Sequence, residues 1–340
     1  MRRFVKMAAL CLALALCLSG CGGQEAAQEE EQTLSLTNVS YDPTREFYAA
    51  YNEMFIAGWK EKTGQTVEIT QSHGGSGSQA ISVSQGLEAD VVTLALEADV
   101  QAVADAGLIE EGWLDEFPQQ SAPYTSAIVF LVRSGNPQNI HDWDDLAREG
   151  VGVITPNPKT SGGARWNFLA AWAYGEIAYD GDQAQIEDLL TRIYQNVLVL
   201  DSGARGSTTS FVENGQGDVL IAWENEAYLT LQEYPEGYEI VTPSVSILCQ
   251  PSVAVVDEVA NMRGTQELAT AYLEGLYSPE AQHLAAQYYY RPSDQTILQE
   301  YGDVFDLNIQ MTNIEHFGGW AQAQERFFAD GGIFDQIYEK

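Results

Sequence analysis

Basic residues are scarce in this sequence, and apolar runs long enough to span a membrane are absent from it. Its 340 residues include 16 Lys and Arg against 49 Asp and Glu, which gives a formal net charge of −33. A nucleic-acid partner is excluded because phosphate backbones are bound by clustered Lys and Arg. Electrostatic adhesion to anionic lipid is disfavoured for the same reason. Taken alone, the charge favours a cation or a basic partner.

The most apolar segment, Met7–Leu18, is about a dozen residues long, whereas a membrane-spanning helix needs about 20. It follows three basic residues, as in a signal peptide. It ends in Leu18-Ser19-Gly20-Cys21, which resembles the lipobox of bacterial lipoproteins. The sequence therefore predicts a lipoprotein signal peptide over residues 1–20, and the resemblance implies a lipid on Cys21. Ordinary secretion with a coincidental cysteine is the alternative. Residues 21–33 are rich in Gln and Glu, which predicts a flexible acidic tether.

Cysteine is nearly absent from the predicted mature chain. Cys11 and Cys17 leave with the signal peptide, Cys21 carries the lipid, and Cys249 alone remains. A single thiol forms neither an internal disulfide nor a cysteine metal cluster. A buried small hydrophobe is therefore the predicted role of Cys249. The protein is expected to be extracytoplasmic, anchored to the cell membrane as a lipoprotein.

Short β-rich runs alternate with helical patterns along the chain, which indicates an α/β fold with largely parallel sheets. Two long extended stretches, Tyr124–Arg133 and Tyr238–Val256, separate blocks of similar βα character. They are interpreted as two crossings between lobes. Lobe one is predicted over residues 34–123 plus 253–340, and lobe two over 124–252. The predicted strands are Leu34–Val39, Val67–Thr70, Val91–Leu94, Val151–Thr155, Val197–Leu200, Val219–Ala222 and Tyr238–Val241. The predicted helices before residue 261 are Arg45–Lys62, Ser78–Gln85, Ala164–Tyr174, Gln185–Gln195 and Thr208–Asn214.

Three segments share one design, a strand followed by a Ser/Gly turn that opens a helix. The turns are Ser72–Ser78, Ser161–Arg165 and Asp201–Ser207. A helix start leaves backbone N–H groups unpaired and carries partial positive charge, which suits an anion. Glycine lets an oxyanion approach the backbone, and serine adds a hydroxyl donor. None of the turns matches a nucleotide-binding glycine loop.

Several longer segments closely resemble the periplasmic sulfate-binding protein family, from about Leu34 to Ile337. They are NVSYDPTREFY (38–48), QSHGGSGSQA (71–80), EADVVTLAL (88–96), APYTSAIVFLVRSGNP (122–137), TPNPKTSGGARWN (155–167), DSGARGSTTSFVENGQGDVLIAWENEA (201–227), YLEGLYSPEAQ (272–282) and FGGWAQAQERFFADGGIFDQI (317–337). The resemblance implies a two-lobed, type II periplasmic binding protein that closes over one anion. It implies a receptor that delivers sulfate, or thiosulfate, to the permease of an ABC importer. We expect a monomer without cofactor, metal or enzymatic activity.

The resemblance also implies which groups donate hydrogen bonds to the anion. The implied donors are the backbone N–H groups of Asp42, Ser76, Gly162, Gly163 and Ala204, the Ser161 hydroxyl and the Trp223 indole N–H. Arg45, Arg165 and Arg205 lie within a few residues of these donors. They are expected to support the turns rather than to contact the anion.

Other functions remain open at this point. The same fold could bind another tetrahedral oxyanion, such as molybdate or phosphate, and the acidity would suit a receptor for a cation or polyamine. A hydrolase of sulfate or phosphate esters would use Ser76 or Ser161 as nucleophile. It would need a base, and His73 lies inside the first turn, close to Ser76 in sequence. The remaining histidines are scattered, so neither a metal site nor a catalytic triad is predicted.

Overall fold

The computed structural model describes residues 33–339. The signal peptide, Cys21 and almost all of the tether lie outside this range and stay predictions. Within it, no helix is both long enough and apolar enough to cross a membrane. Cys249 is fully buried with an unpaired thiol, as expected of a small hydrophobe, and burial raises the pKa of that thiol well above its ordinary value.

The strands of the described chain are short, and most follow the predicted β-rich runs. They are β1 (Leu34–Tyr41), β2 (Val67–Gly74), β3 (Val91–Leu94), β4 (Tyr124–Thr125), β5 (Ile128–Arg133), β6 (Val153–Pro156), β7 (Val197–Asp201), β8 (Val219–Trp223), β9 (Tyr238–Val241), β10 (Val245–Ile247), β11 (Ser252–Val255), β12 (Arg291–Pro292) and β13 (Gln310–Thr312).

Helices connect most of these strands, and short 3₁₀ or π turns extend some of them. The helices are α1 (Arg45–Thr63), α2 (Ser76–Ser84), α3 (Glu97–Asp105), α4 (Pro118–Ser121), α5 (Gly162–Ala178), α6 (Gln183–Gln195), α7 (Ala204–Thr208), α8 (Glu224–Glu233), α9 (Asp257–Arg263), α10 (Gln266–Gly275), α11 (Pro279–Gln287), α12 (Gln295–Glu300), α13 (Gly319–Ala323) and α14 (Ile333–Tyr338). A 3₁₀ turn, Asp42–Thr44, joins β1 to α1.

The first sheet has the strand order β11-β3-β1-β2. β2 and β3 run parallel to β1, and β11 runs antiparallel to β3. Every residue of β3 is buried, as is typical of a strand covered on both faces. Tyr41 and Gly74, the last residues of β1 and β2, are paired directly. The segments that follow these two strands therefore start at the same edge of the sheet.

The second sheet has the order β7-β6-β8-β5-β9. β6 is parallel to β7 and β8, whereas β5 is antiparallel to β8 and β9. Pro156 and Asp201 are paired at the carboxyl ends of β6 and β7. Trp223 is the last residue of β8 and lies at the same edge, because β8 runs parallel to β6. This edge carries the second and third Ser/Gly turns.

The chain passes from the first sheet to the second between β3 and β5, and it returns between β9 and β11. The short strands β4 and β12 form a separate antiparallel pair. The end of the chain packs on α5 of the second sheet, where the rings of Phe168 and Phe327 lie 5.7 Å apart and those of Trp166 and Trp320 lie 4.6 Å apart. The predicted lobe boundaries stay a prediction. These contacts show that the last residues, assigned to lobe one, also pack against α5 of lobe two.

Candidate functional site

The three Ser/Gly turns contact one another at Gly75, the residue before α2. A methyl group placed on this glycine would lie 2.6 Å from the carbonyl oxygens of both Thr160 and Ser202. The Ser78 N–H donates to the Thr160 carbonyl at 3.3 Å. Glycine alone permits so close a backbone approach, so the turn of the first sheet meets both turns of the second.

Ser76 opens α2, and its side chain is fully engaged. The hydroxyl donates to Asp99 Oδ2 at 2.6 Å and accepts the Ala95 N–H at 3.0 Å. The Ser76 backbone N–H is one of the groups that a helix start leaves without an intrahelical partner. The backbone of Ser76, rather than its hydroxyl, is therefore available to a ligand.

Ser161 is the N-cap of α5. Its Oγ accepts the Ala164 N–H at 3.4 Å, which leaves the hydroxyl proton to donate elsewhere. Gly162 and Gly163 follow as the first two residues of the helix, so their N–H groups lie at its partially positive end.

Trp223 is almost fully buried, and its indole faces the start of α5. A methyl group on Gly163 would lie 2.9 Å from Trp223 Nε1. The indole N–H donates to the Gly163 carbonyl at 3.5 Å, which is long for a hydrogen bond. The Trp223 ring packs on Tyr41 with ring centroids 5.2 Å apart. This contact joins the carboxyl ends of β8 and β1.

Asp42 follows β1 directly, and its carboxylate meets the third turn. The carboxylate accepts the Arg205 backbone N–H and fills the space beside Gly203, the residue before α7. Burial raises the pKa of Asp42, although Arg45 and Arg205 act in the opposite direction. A Cβ on Gly203 would therefore collide with the side chain of Asp42. The same Cβ would lie 3.3 Å from the backbone nitrogen of Gly75.

Each of the seven predicted donor positions lies in this one cluster, which combines elements of both sheets. Asp42 and Ser76 come from the first sheet, and the other five come from the second. The groups are helix-start N–H groups, one hydroxyl and one indole, and none of them carries a charge. Such an arrangement can surround a ligand that accepts hydrogen bonds on all sides.

The three predicted supporting arginines differ in their surroundings. Arg165 is buried, with Nη1 3.0 Å from Asp99 Oδ1 and with Nε donating to the Pro158 carbonyl at 2.9 Å. Arg205 is about one-third exposed and makes a forked contact with Glu46 at 2.7 and 2.8 Å.

Arg205 also lies 3.4 Å from the buried Glu226. Arg45 is the most exposed of the three and lies 3.7 Å from Asp42. Arg165 and Arg205 therefore join the two sheets, since their partners Asp99 and Glu46 follow strands of the first sheet.

Asp99, Glu46 and Glu226 are the residues at this site that the sequence analysis missed. Each lies in the first turn of a helix, where an acidic residue usually complements the helix dipole. That position gave no signal of a second role. Burial raises the pKa of Glu226, while Arg205 and a 2.9 Å hydrogen bond from the Thr208 hydroxyl lower it.

His73 lies in β2 and contacts neither candidate nucleophile. Its Nε2 is 2.9 Å from Gln71 Oε1, and its Nδ1 is 3.3 Å from the Tyr41 carbonyl. Burial lowers the pKa of the imidazole. Among residues 33–339 there is no group of three or more His, Cys, Asp or Glu placed to hold a metal ion.

Comparison with known proteins identifies the family of this chain. The family model described as bacterial extracellular solute-binding protein matches residues 44–291. The chain belongs to this family. The sulfate-binding protein of Escherichia coli (strain K12) is 58% identical over 308 residues, which cover 90% of this chain and 94% of that protein. The thiosulfate-binding protein of Pseudomonas aeruginosa is 43% identical over 341 residues, which cover 99% of each.

One solved structure is also similar to this chain, over nearly the whole length of the solved protein. The sulfate-binding protein SubI from Mycobacterium tuberculosis H37Rv is 33% identical, with a TM-score of 0.79, over 87% of this chain and 99% of that one. The predicted resemblance and fold class are both confirmed. This solute-binding protein has the two-lobed α/β fold with mixed sheets that the resemblance implied.

Proposed function

We propose that this protein captures sulfate between its two lobes, outside the cytoplasm, and delivers it to the permease of an ABC importer. The observation that carries the proposal is the convergence of uncharged hydrogen-bond donors from both sheets at one cluster. Sulfate is fully ionised at neutral pH, so all of its oxygens accept hydrogen bonds and none donates. The names of the relatives, sulfate- and thiosulfate-binding proteins, agree with this chemistry.

Seven donors would hold the anion. They are the N–H groups of Asp42, Ser76, Gly162, Gly163 and Ala204, the Ser161 hydroxyl and the Trp223 indole N–H. Hydrogen bonds to a charged group each contribute about 1.5–3 kcal/mol. A micromolar Kd corresponds to about −8.2 kcal/mol, so seven such bonds leave ample room for the costs of ordering and closure.

The carboxylates at the turns favour sulfate over hydrogen phosphate. Asp99 accepts from Ser76 with one oxygen and from Arg165 with the other, and Asp42 accepts the Arg205 N–H. The proton of hydrogen phosphate would need an acceptor, and both Asp99 oxygens and the Asp42 carboxylate already accept hydrogen bonds. An unpaired buried donor costs about 1–3 kcal/mol, which corresponds to roughly 5- to 150-fold weaker binding.

Thiosulfate is the second candidate ligand, because a thiosulfate-binding relative is 43% identical to this chain. Its terminal sulfur is a weaker acceptor than oxygen, so one position in the cluster would lose most of a hydrogen bond. Hydrolysis of sulfate esters is disfavoured at Ser76, because the Ser76 hydroxyl is already shared between Asp99 and the Ala95 N–H.

The test is titration calorimetry on residues 22–340 with sulfate, thiosulfate, phosphate, molybdate and spermidine. One-to-one binding of sulfate, with no heat from phosphate, is expected. Binding of spermidine without sulfate would overturn the proposal in favour of a cation receptor. Tighter binding of molybdate than of sulfate would reassign the site to another tetrahedral oxyanion.

We propose further that Cys21 carries a lipid that anchors the protein to the cell membrane, on its periplasmic side or at the outer face of the cytoplasmic membrane, and that the protein acts as a monomer. The lipobox-like Leu18–Cys21 supports the anchor. Intact-mass measurement of membrane-extracted protein should find a diacylglycerol adduct at an N-terminal Cys21. The Cys21→Ala variant should be recovered without it, and an unmodified wild-type N-terminus would refute the anchor.

A further inference from the structure

The first turn of α8 consists of three buried polar residues in a row, directly after Trp223. Glu224, Asn225 and Glu226 are 3%, 0% and 3% exposed. Such groups are rarely buried without partners. Glu224 pairs with Arg291 through two contacts of 2.7 and 2.9 Å, and Glu226 contacts the third turn, as described above. Asn225 is the member of this group whose partners have no assigned role.

The Asn225 side chain joins the two sheets beside the proposed anion site. Its Nδ2 donates to the Pro43 carbonyl at 3.1 Å and to the Tyr290 hydroxyl at 3.1 Å. Pro43 follows Asp42 in the 3₁₀ turn after β1, and Asn225 follows Trp223 by two residues. One amide group therefore connects the backbone segments that carry two of the proposed donors.

The orientation of this amide is dictated by its partners. A carbonyl oxygen only accepts hydrogen bonds, so the NH₂ end of Asn225 must face Pro43. The Thr44 hydroxyl holds the 3₁₀ turn on its own sheet through a bond to the Tyr41 carbonyl at 2.7 Å, and the Asp42 carboxylate reaches the third turn. The Asn225 amide instead connects the turn to the segment directly after β8.

We propose that Asn225 is a positioning residue that fixes the spacing between the Asp42 N–H and the Trp223 indole N–H, and thereby selects the anion by size. The inference rests on the proposed sulfate function. Selenate is the natural probe, because it has the charge and shape of sulfate but longer bonds to oxygen. A fixed spacing favours the smaller anion, and a loosened one removes that preference.

The experiment measures Kd for sulfate and selenate, together with thermal unfolding, in wild type and variants. Asn225→Asp replaces the NH₂ donor by an acceptor of similar shape, and Asn225→Ala removes it in case the charged variant does not fold. Both should weaken sulfate binding about tenfold or more and bring the two Kd values toward each other. Tyr290→Phe keeps the bond to Pro43 and should retain the preference for sulfate.

Asn167 provides the matched control. It is also a buried asparagine, and its Nδ2 donates to the Thr155 hydroxyl and the Ile221 carbonyl, both within the second sheet. Asn167→Asp should lower the unfolding temperature but leave the ratio of the two Kd values unchanged. A sulfate-to-selenate ratio that is unchanged in the Asn225 variants would overturn the inference, whether or not both Kd values rise, as would equal loss of the ratio in Asn167→Asp. Failure of wild type to bind sulfate would instead overturn the proposed function.

Discussion

Replacing Trp223 by Phe tests the proposed donor set most directly. The change removes the indole N–H and keeps an aromatic ring against Tyr41, 5.2 Å away between ring centroids. In the structure this N–H makes only a long bond of 3.5 Å to the Gly163 carbonyl. The intramolecular bond that is lost is therefore weak, and most of the effect should fall on the bound anion.

The expected magnitude follows from the charge of the ligand. A hydrogen bond to a charged group contributes about 1.5–3 kcal/mol, and every 1.4 kcal/mol changes Kd about tenfold. Sulfate should therefore bind to Trp223→Phe about 10- to 150-fold more weakly than to wild type. The assay is calorimetric titration with sulfate, accompanied by a thermal unfolding curve for each protein.

Trp143→Phe is the control for the general loss of a buried indole. Trp143 is fully buried, and its Nε1 donates to the Val245 carbonyl at 2.8 Å, away from the Ser/Gly turns. This variant should lose stability but bind sulfate like wild type. Wild-type affinity in Trp223→Phe, or equal loss of affinity in both variants, would refute the role of the Trp223 indole as an anion donor.

Three further predictions concern the turns and their charges. Gly75→Ala should weaken sulfate binding at least about tenfold, because its methyl would meet two carbonyl oxygens at 2.6 Å; Gly58→Ala, with open space around it, should bind normally in the same titration. Arg165→Met should lower the free energy of unfolding, measured by urea titration, by about 3 kcal/mol, because it leaves Asp99 buried without its charged partner. A loss below about 1 kcal/mol, as expected for a surface pair, would contradict this. Burial raises the pKa of Glu226, so the folded state keeps this proton to a higher pH than the unfolded state does. The free energy of unfolding should therefore fall as pH rises from the ordinary pKa of 4.5 through the raised pKa. Glu226→Gln should flatten that decline in urea titrations across this range, and an unchanged slope would count against it.

The sequence predicted the elements that local patterns specify. The seven predicted strands are all present, and all but one of their boundaries agree to within two residues. β2 is longer than predicted and includes Ser72–Gly74, because β1 runs beside it as far as Tyr41 and continues the pairing. α7 begins at Ala204 rather than at the predicted Thr208, since helix formation starts directly after Gly203.

The contacts that join the turns could not be predicted in the same way. Asp99 and Arg165 are 66 residues apart in the chain, and each has an ordinary local explanation on its own helix. The same is true of Arg205 and Glu46, which are separated by 159 residues. Pairings of this kind depend on how two sheets face each other, and no single-sequence period carries that information.

The isolation of Cys249 has a practical consequence. Its thiol is fully enclosed, with Sγ 3.7 Å from the Ile247 carbonyl, and its raised pKa keeps the reactive thiolate scarce. In residues 22–340 it is the sole cysteine, so a thiol introduced on each sheet's surface would be labelled by maleimide dyes without removal of any native residue. A donor and acceptor dye placed this way would report the distance between the sheets as anion is added. The protein is thus ready to be made into a fluorescent sensor.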